Sequence, residues 1–401
     1  MKLLDFICFS INYWEKRKDR KHQFMLALSQ KEDIGKVLYI EPSVNLVRLF
    51  LFPFSELKMA ENRHRWWRAL TFKIETIKDK FYVVSPLFLI PLWRFYPIYK
   101  INRLFTLLII RHQLKILGIK KPVIWLCHPY DECILDYMND RTASCFDWAE
   151  LWSEWFIEFS SKRLHFVAEL EERIIRKSDI SFVVSEELLK RARRYNSNSY
   201  FLGSGAPIEM FQNTDENFIP SDIKEIRKPI IGYVGTIGER IDVPLLLKIS
   251  DNFPDGSLVI IGKLLKDRID ADIPDELEKK GNVYFLGEKD YELLPLYISH
   301  FKVGIIPYIP EKMKLNEPTK HYDYLAAGKP VVSTALVELV RFKDLILIAA
   351  THDEFLKLLR EAINKDDVDS SRKRLNFIEK NSWSARADEI LERINTLIEN
   401  K

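Results

Sequence analysis

Short apolar runs alternate with amphipathic stretches along the chain. An apolar run over residues 3–9, a polar loop, a helical stretch over about residues 21–29 and a second apolar run over residues 36–40 predict strand, helix, strand. Such a β-α-β unit builds a parallel sheet. PVIWLCHP, ASCFDW and DISFVVS read as further strands of the same series, and residues 166–176 as a helix with Glu/Arg pairs at helical spacing. Residues 205–228, with GSGAP and the polar NTDENFIPSD, read as a linker. A second series follows: IIGYVGTIG, GSLVIIGK, NVYFLG, VGIIPY, KPVVST and LILIAA as strands, with VPLLLKISDNF as a helix. The final stretch, NSWSARADEILERINTLIENK, is an amphipathic helix with Trp383 near its start. Two α/β series predict two Rossmann-like doubly wound domains, residues 1–205 and 206–380.

At 401 residues the chain can bury two cores without metal or disulfide staples. Its composition is that of an ordinary globular protein, and its net charge of +3 does not by itself argue for nucleic acid. Cys8, Cys127, Cys133 and Cys145 form no CxxC pair, so zinc and disulfide frameworks are not expected. The N-terminal run lacks a signal-peptide pattern, and no run of about 20 apolar residues predicts a membrane span. These features point to the cytosol, with contact at the inner membrane face left open. Residues 46–110 are rich in large apolar and basic residues. They fit either core elements with a solvated face or an interfacial surface anchored by Trp66, Trp67, Trp93 and Arg94.

LNEPTKHYDYLAAGKPVVST, residues 315–334, carries the most chemistry. Pro318 suits a first helical position, Asn316 or Glu317 a cap, and Gly328 followed by Pro330 a stop. A helix start with free N–H groups attracts a diphosphate, and Lys320 in the first turn adds a charge. Asp323, at i+3, can accept from two vicinal hydroxyls. On spacing alone, Lys320 and Asp323 could equally form a surface helix pair.

This segment resembles the donor signature of the retaining family 4 glycosyltransferases, which have the GT-B fold. More closely, it resembles a bacterial branch acting in cell-surface polysaccharide synthesis, teichuronic acid glycosyltransferases among them. The matching residues are Asn316, Pro318, Lys320, Tyr324, Leu325, Ala326, Gly328, Lys329, Pro330, Val331 and Val332. Asp323 replaces the usual Glu, and Leu315 stands where the wider family has its first Glu. In the first half, Trp14, Arg20 and Gln23 match the same branch.

The resemblance implies two domains facing a cleft, with a closing helix over residues 381–401 that returns to the first. It implies transfer from a nucleoside diphosphate sugar, UDP- or GDP-linked, to a saccharide or lipid-linked saccharide, with retention and without metal or cofactor. It places Asp323 on the ribose, Arg240, Lys263 and Lys320 on the diphosphate, and Asn316 as a stand-in near the sugar. Backbone near Gly287 would hold the base, and Gly235 and Thr319 complete the expected donor contacts. His128, at a strand end in WLCHPYDE, is either a donor-sugar contact or a packed histidine. Asp147 is either a helix cap or an acceptor contact. Two other functions fit the same architecture: a sugar-nucleotide epimerase, and a non-catalytic sugar-nucleotide-binding partner. A basic, aromatic membrane-surface adaptor is a third.

Overall fold

The computed structural model describes residues 3–14, 19–51, 60–90, 95–153, 161–215, 217–269, 272–313 and 317–400. The chain divides into two compact units, Met1–Gly203 with Arg386–Lys401, and Ser204–Ala385. The expected limits were residues 205 and 381.

The first unit is built on strands β1 (Leu4–Phe9), β2 (Ile34–Ile40), β4 (Glu75–Lys78), β5 (Phe81–Val84), β7 (Val123–Leu126), β8 (Ala143–Trp148), β9 (Ile180–Val183) and β10 (Ser199–Phe201). Their order is β10-β9-β8-β7-β1-β2-β5-β4, parallel except for β4 against β5. The short strands β3 (Val44–Asn45) and β6 (Leu87–Phe88) pair separately. Helices α1 (Arg20–Ser29), α2 (Ala60–Thr71), α3 (Tyr96–Leu117) and α4 (Ser161–Lys177) belong to this unit. Asp19 starts α1 by accepting from the Lys21 and His22 amides, while the His22 ring returns to the Asp19 amide. That reciprocal cap satisfies donors at both ends of the first turn.

The second unit carries six parallel strands among the described residues: β11 (Ile230–Val234), β12 (Ser257–Ile261), β13 (Val283–Phe285), β14 (Val303–Ile306), β15 (Val331–Thr334) and β16 (Leu347–Ala349). Their order is β13-β12-β11-β14-β15-β16. Strand direction of travel reverses at β11, so the switch point lies between β11 and β14; in the first unit it lies between β1 and β7. Both faces of the second sheet are buried, which is why its strands read as continuous apolar runs. Ile230, Val234, Val259, Ile261, Ile306 and Val331 pack on one face, with Tyr322, Tyr324 and Leu325 of helix α6 (Lys320–Ala326). Ile231, Tyr233, Leu258, Ile260, Val303 and Ile305 pack on the other, with Leu245, Leu246 and Ile249 of helix α5 (Val243–Asn252). The final helix, α7 (Trp383–Glu399), begins in the second unit and ends in the first.

Residues 205–228 are not a linker. Ile223 and Ile226 sit in the second core, and Ala206 forms a parallel bridge with Ser382. Of the anchors named in residues 46–110, Trp66 belongs to the core and is no surface anchor. Trp66 is buried beside Val44, Ala69 and Leu87, whereas Trp67 is exposed. Trp93 and Arg94 lie outside the described residues. No described helix is long and apolar enough to cross a membrane.

Candidate functional site

At the C-terminal ends of β11, β12 and β13 the chain turns through Gly235, Gly262 and Gly287, all at positive φ. Backbone hydrogen bonds tie these turns together. The Gly235 amide donates to Ile261 O at 2.8 Å, the Gly262 amide to Gly287 O at 2.8 Å and the Ile237 amide to Lys263 O at 2.8 Å. Gly262 is at φ 144°, and a Cβ there would meet Gly235 O at 2.2 Å, so only glycine fits. On its other side the same loop pairs with the segment after β14: Ile309 N donates to Arg240 O at 2.9 Å, and Ile241 bridges Tyr308. Arg240 and Lys263 are both exposed on these tied turns.

Lys320 opens α6 and is buried. Its Nζ lies 4.6 Å from the centre of the Tyr233 ring and 4.3 Å from that of Tyr308. It donates to Tyr233 Oη at 3.3 Å and also to Tyr308 Oη. A Cβ on Gly235 would sit 3.0 Å from this nitrogen, so the cation stands directly over the first turn. Asp323 is buried one turn further on and accepts from Tyr291 Oη at 3.2 Å. Burial of both residues rules out the surface-pair reading. Tyr324 reaches back beneath the site and accepts the Val234 amide at 2.9 Å. Burial pushes the Tyr324 hydroxyl well above its ordinary pKa, so it stays protonated.

The helix start differs from expectation. α6 begins at Lys320 rather than Pro318, with Thr319 at the cap position, exposed and making no side-chain cap bond. Glu317 is not a cap either; it accepts from Tyr322 Oη at 3.1 Å and from Arg341. Asn316 lies outside the described residues. The end is as expected: Gly328 at φ 66° donates to Leu325 O, and Lys329 N to Tyr324 O, closing a left-handed cap. His321, buried between the Tyr322 and Phe342 rings, has its imidazole pushed down to about 4 by burial.

His128 lies in the first unit, at the end of β7. Its Nδ1 accepts the Tyr130 amide at 3.2 Å, and its ring meets Trp152 edge-on at 4.6 Å. Burial, then the charges of Arg103 and Lys21, push its imidazole down to about 3. The ring is therefore neutral, and with Nδ1 accepting, Nε2 carries the proton. Glu171 accepts the Trp152 amide at 2.8 Å and the Trp148 indole N–H at 3.0 Å, and burial lifts its carboxyl to about 7. Asp147 takes neither expected role: it is buried and accepts from Arg20 Nε at 3.3 Å. Arg20 also donates to Leu202 O, so this pair fixes the start of α1 against the sheet.

The second unit thus brings Gly235, Arg240, Lys263, Gly287, Thr319, Lys320 and Asp323 to one edge of its sheet, at the switch point. Sequence reasoning missed Tyr233, Tyr308 and Tyr291, which hold Lys320 and Asp323. The signal for Tyr233 and Tyr308 was a polar-tipped aromatic in or just beyond an otherwise aliphatic strand, in GYVG and in VGIIPY; Tyr291, in a short helical turn, gave none. Among the described residues no group of three His, Cys, Asp or Glu is placed to hold a metal ion.

Searches against known proteins agree with this architecture. Solved structures similar over nearly the whole chain include sucrose-phosphate synthase from Thermosynechococcus elongatus, at 14% identity and TM-score 0.68, covering 99% of this chain and 100% of that one. Anabaena Alr3699/HepE, solved in complex with UDP-glucose, matches at 13% identity and TM-score 0.62, covering 98% and 100%. The chain has the GT-B fold. Its GT-B sheets are the two described above, each with its own switch point. The expected resemblance is found in sequence as well. The putative teichuronic acid biosynthesis glycosyltransferase TuaH of Bacillus subtilis is 26% identical over 223 residues, 54% of this chain and 53% of that protein. The match thus spans about half the length of that relative. No family profile matches the chain.

Proposed function

We propose that this protein is a glycosyltransferase that moves a sugar from a nucleoside diphosphate sugar to a saccharide or lipid-linked saccharide in cell-surface polysaccharide synthesis. The observation that carries the reading is Lys320, buried between two tyrosine rings over the Gly235 turn, with Asp323 one helical turn away. In this reading Asp323 accepts from the ribose hydroxyls. Lys320, Arg240 and Lys263 neutralise the departing diphosphate, Gly235 and Thr319 offer backbone at its edge, and Gly287 lies where the base would rest. Preorganised cations at a developing charge lower the barrier to departure, and a set of three leaves that task to the protein's own side chains. Support comes from similarity to TuaH and from the HepE complex with UDP-glucose.

Retention and independence from metal belong to the proposal. So does binding of the acceptor by the first unit; His128, neutral with its proton on Nε2, enters the proposal only as the donor-sugar contact that the resemblance implies. The test is a thermal-shift panel of UDP, GDP, TDP, ADP and CMP and their sugars, with and without EDTA. Ligand at about 100 times its Kd stabilises the native state by about 2.7 kcal/mol. A base-selective shift that survives EDTA is expected. A shift abolished by EDTA contradicts the metal-free site, and no shift with any nucleotide contradicts the donor reading.

A further inference from the structure

The buried face of helix α3 is mixed: Tyr99, Leu107, Ile110, Leu114 and Leu117 pack inward, and so do the polar Asn102, Arg103, Thr106 and Gln113, each of these four at most 5% exposed. All four polar side chains are engaged inward. Asn102 accepts from the amides of Leu89 and Ile90, and Arg103 pairs with Asp131 at 2.7 Å. Gln113 donates to Phe72 O at 3.2 Å. The solvent face carries Ile101, Leu104, Leu108 and Ile116, exposed by 52%, 39%, 61% and 63%. Positions 101, 104, 108, 111 and 115 form one stripe at helical spacing, aliphatic for three places and then basic, Arg111 and Lys115. A cluster of large aliphatic side chains on one solvent face marks an interaction surface.

The hydrogen bonds from the buried face also extend the patch. Phe72, bonded through its carbonyl to Gln113, is exposed, as are Leu70 and Trp67 at the end of α2. Lys73 Nζ lies 4.2 Å from the Trp67 ring. On the other side, Leu89 and Ile90, held by Asn102, are exposed too.

Charge identifies the occupant. α3 contains no Asp or Glu. Residues 46–120 hold fourteen Lys and Arg against four Asp and Glu, a balance of +10, so the remainder of this +3 chain carries −7. Arg65, Arg68 and Arg103 are buried and paired, but Arg63, Lys73, Lys78, Arg111, Lys115 and Lys120 are exposed. A twofold dimer through this face would set the basic stripe against its own copy. An anionic bilayer complements both properties. Aliphatic side chains enter the acyl boundary, a Trp–Lys pair sits at headgroup depth, and lysine and arginine reach the lipid phosphates.

We propose that the exposed face of α3, with the adjoining Trp67–Phe72 and Leu89–Ile90 surfaces, docks this protein on an anionic lipid bilayer. This goes beyond the donor-site reading and does not rest on it. The test sediments the full chain with vesicles of phosphatidylcholine alone, or of phosphatidylcholine mixed with phosphatidylglycerol, without nucleotide. Binding to the mixed vesicles is expected to exceed binding to the neutral ones by at least about tenfold, since each basic residue near the surface contributes about fivefold. The exposed double change Leu104→Glu with Leu108→Glu removes the binding, and Arg111→Gln with Lys115→Gln weakens it. Both variants keep the wild-type melting profile and nucleotide response. Equal pelleting with both lipids, no pelleting, or binding indifferent to Leu104→Glu with Leu108→Glu overturns the proposal. A wild-type dimer in solution that this variant converts to monomer overturns it in favour of a second copy.

Discussion

Acid should weaken the second unit through one buried histidine. His321 lies inside α6 with its ring 4.0 Å from Tyr322 and 4.5 Å from Phe342, centre to centre. Its Nδ1–H donates to Pro318 O at 2.6 Å, and its Nε2 is 3.6 Å from Glu317 Oε1. Burial opposes the charged ring and outweighs the attraction of Glu317, holding the folded-state pKa at about 4 against 6.5 when unfolded. The unfolded chain therefore takes up this proton first as pH falls. Stability is full above about pH 6.5, declines between about 6.5 and 4, and levels off below. With these two values the loss is about 2 kcal/mol by pH 5 and about 3 kcal/mol in the limit. The assay is urea unfolding of wild type and His321→Gln at pH 7 and pH 5. The variant is the weaker at pH 7, having lost packing, but the wild type should lose about 2 kcal/mol more on acidification. His128 titrates in the same direction in both proteins and cancels in the comparison. Equal losses refute the reasoning. A wild type that gains stability on acidification shows that Glu317 rather than burial controls the ring.

Tyr324→Phe removes the acceptor of the buried Val234 amide and should cost about 1–3 kcal/mol, with faster hydrogen exchange at that amide. Unchanged stability and exchange would show that the amide has another partner. Gly262→Ala sets a Cβ 2.2 Å from Gly235 O at φ 144° and should cost about 2 kcal/mol or more. Gly281→Ala, with nothing within 4 Å, serves as the indifferent control; equal melting of the two would refute the close approach of the turns.

The two-sheet architecture was legible because parallel strands buried on both faces leave unbroken aliphatic runs, and the chain shows them twice. The left-handed end of α6 was legible because Gly328 before Pro330 has a local cause. What sequence could not show depends on distant partners. Glu317 has the composition of a cap, yet Arg341 and Tyr322 hold it elsewhere. Asp147 is bound by Arg20, 127 positions away. The polar stretch after Gly205 has a linker's composition, but Ala206 is anchored by Ser382, and Ile223 and Ile226 are drawn into the core. Trp66 and Trp67 are adjacent and opposite in fate, because successive helical positions point in different directions. In the site itself, Lys320 and Asp323 stood out through the resemblance to the family 4 donor signature, since their spacing alone left a surface helix pair equally open. The tyrosines that hold them come from three other segments, and only the folded sheet brings these to one edge.

The central claim is that Asp323 and the Lys320 turn form a nucleotide site. It is tested most directly by calorimetric titration of the best-stabilising nucleoside diphosphate into wild type and Asp323→Ala. Binding to wild type is expected, with a loss of at least about tenfold, or about 1.4 kcal/mol, in the variant, whose melting is otherwise normal. Equal affinity in the two proteins would contradict it.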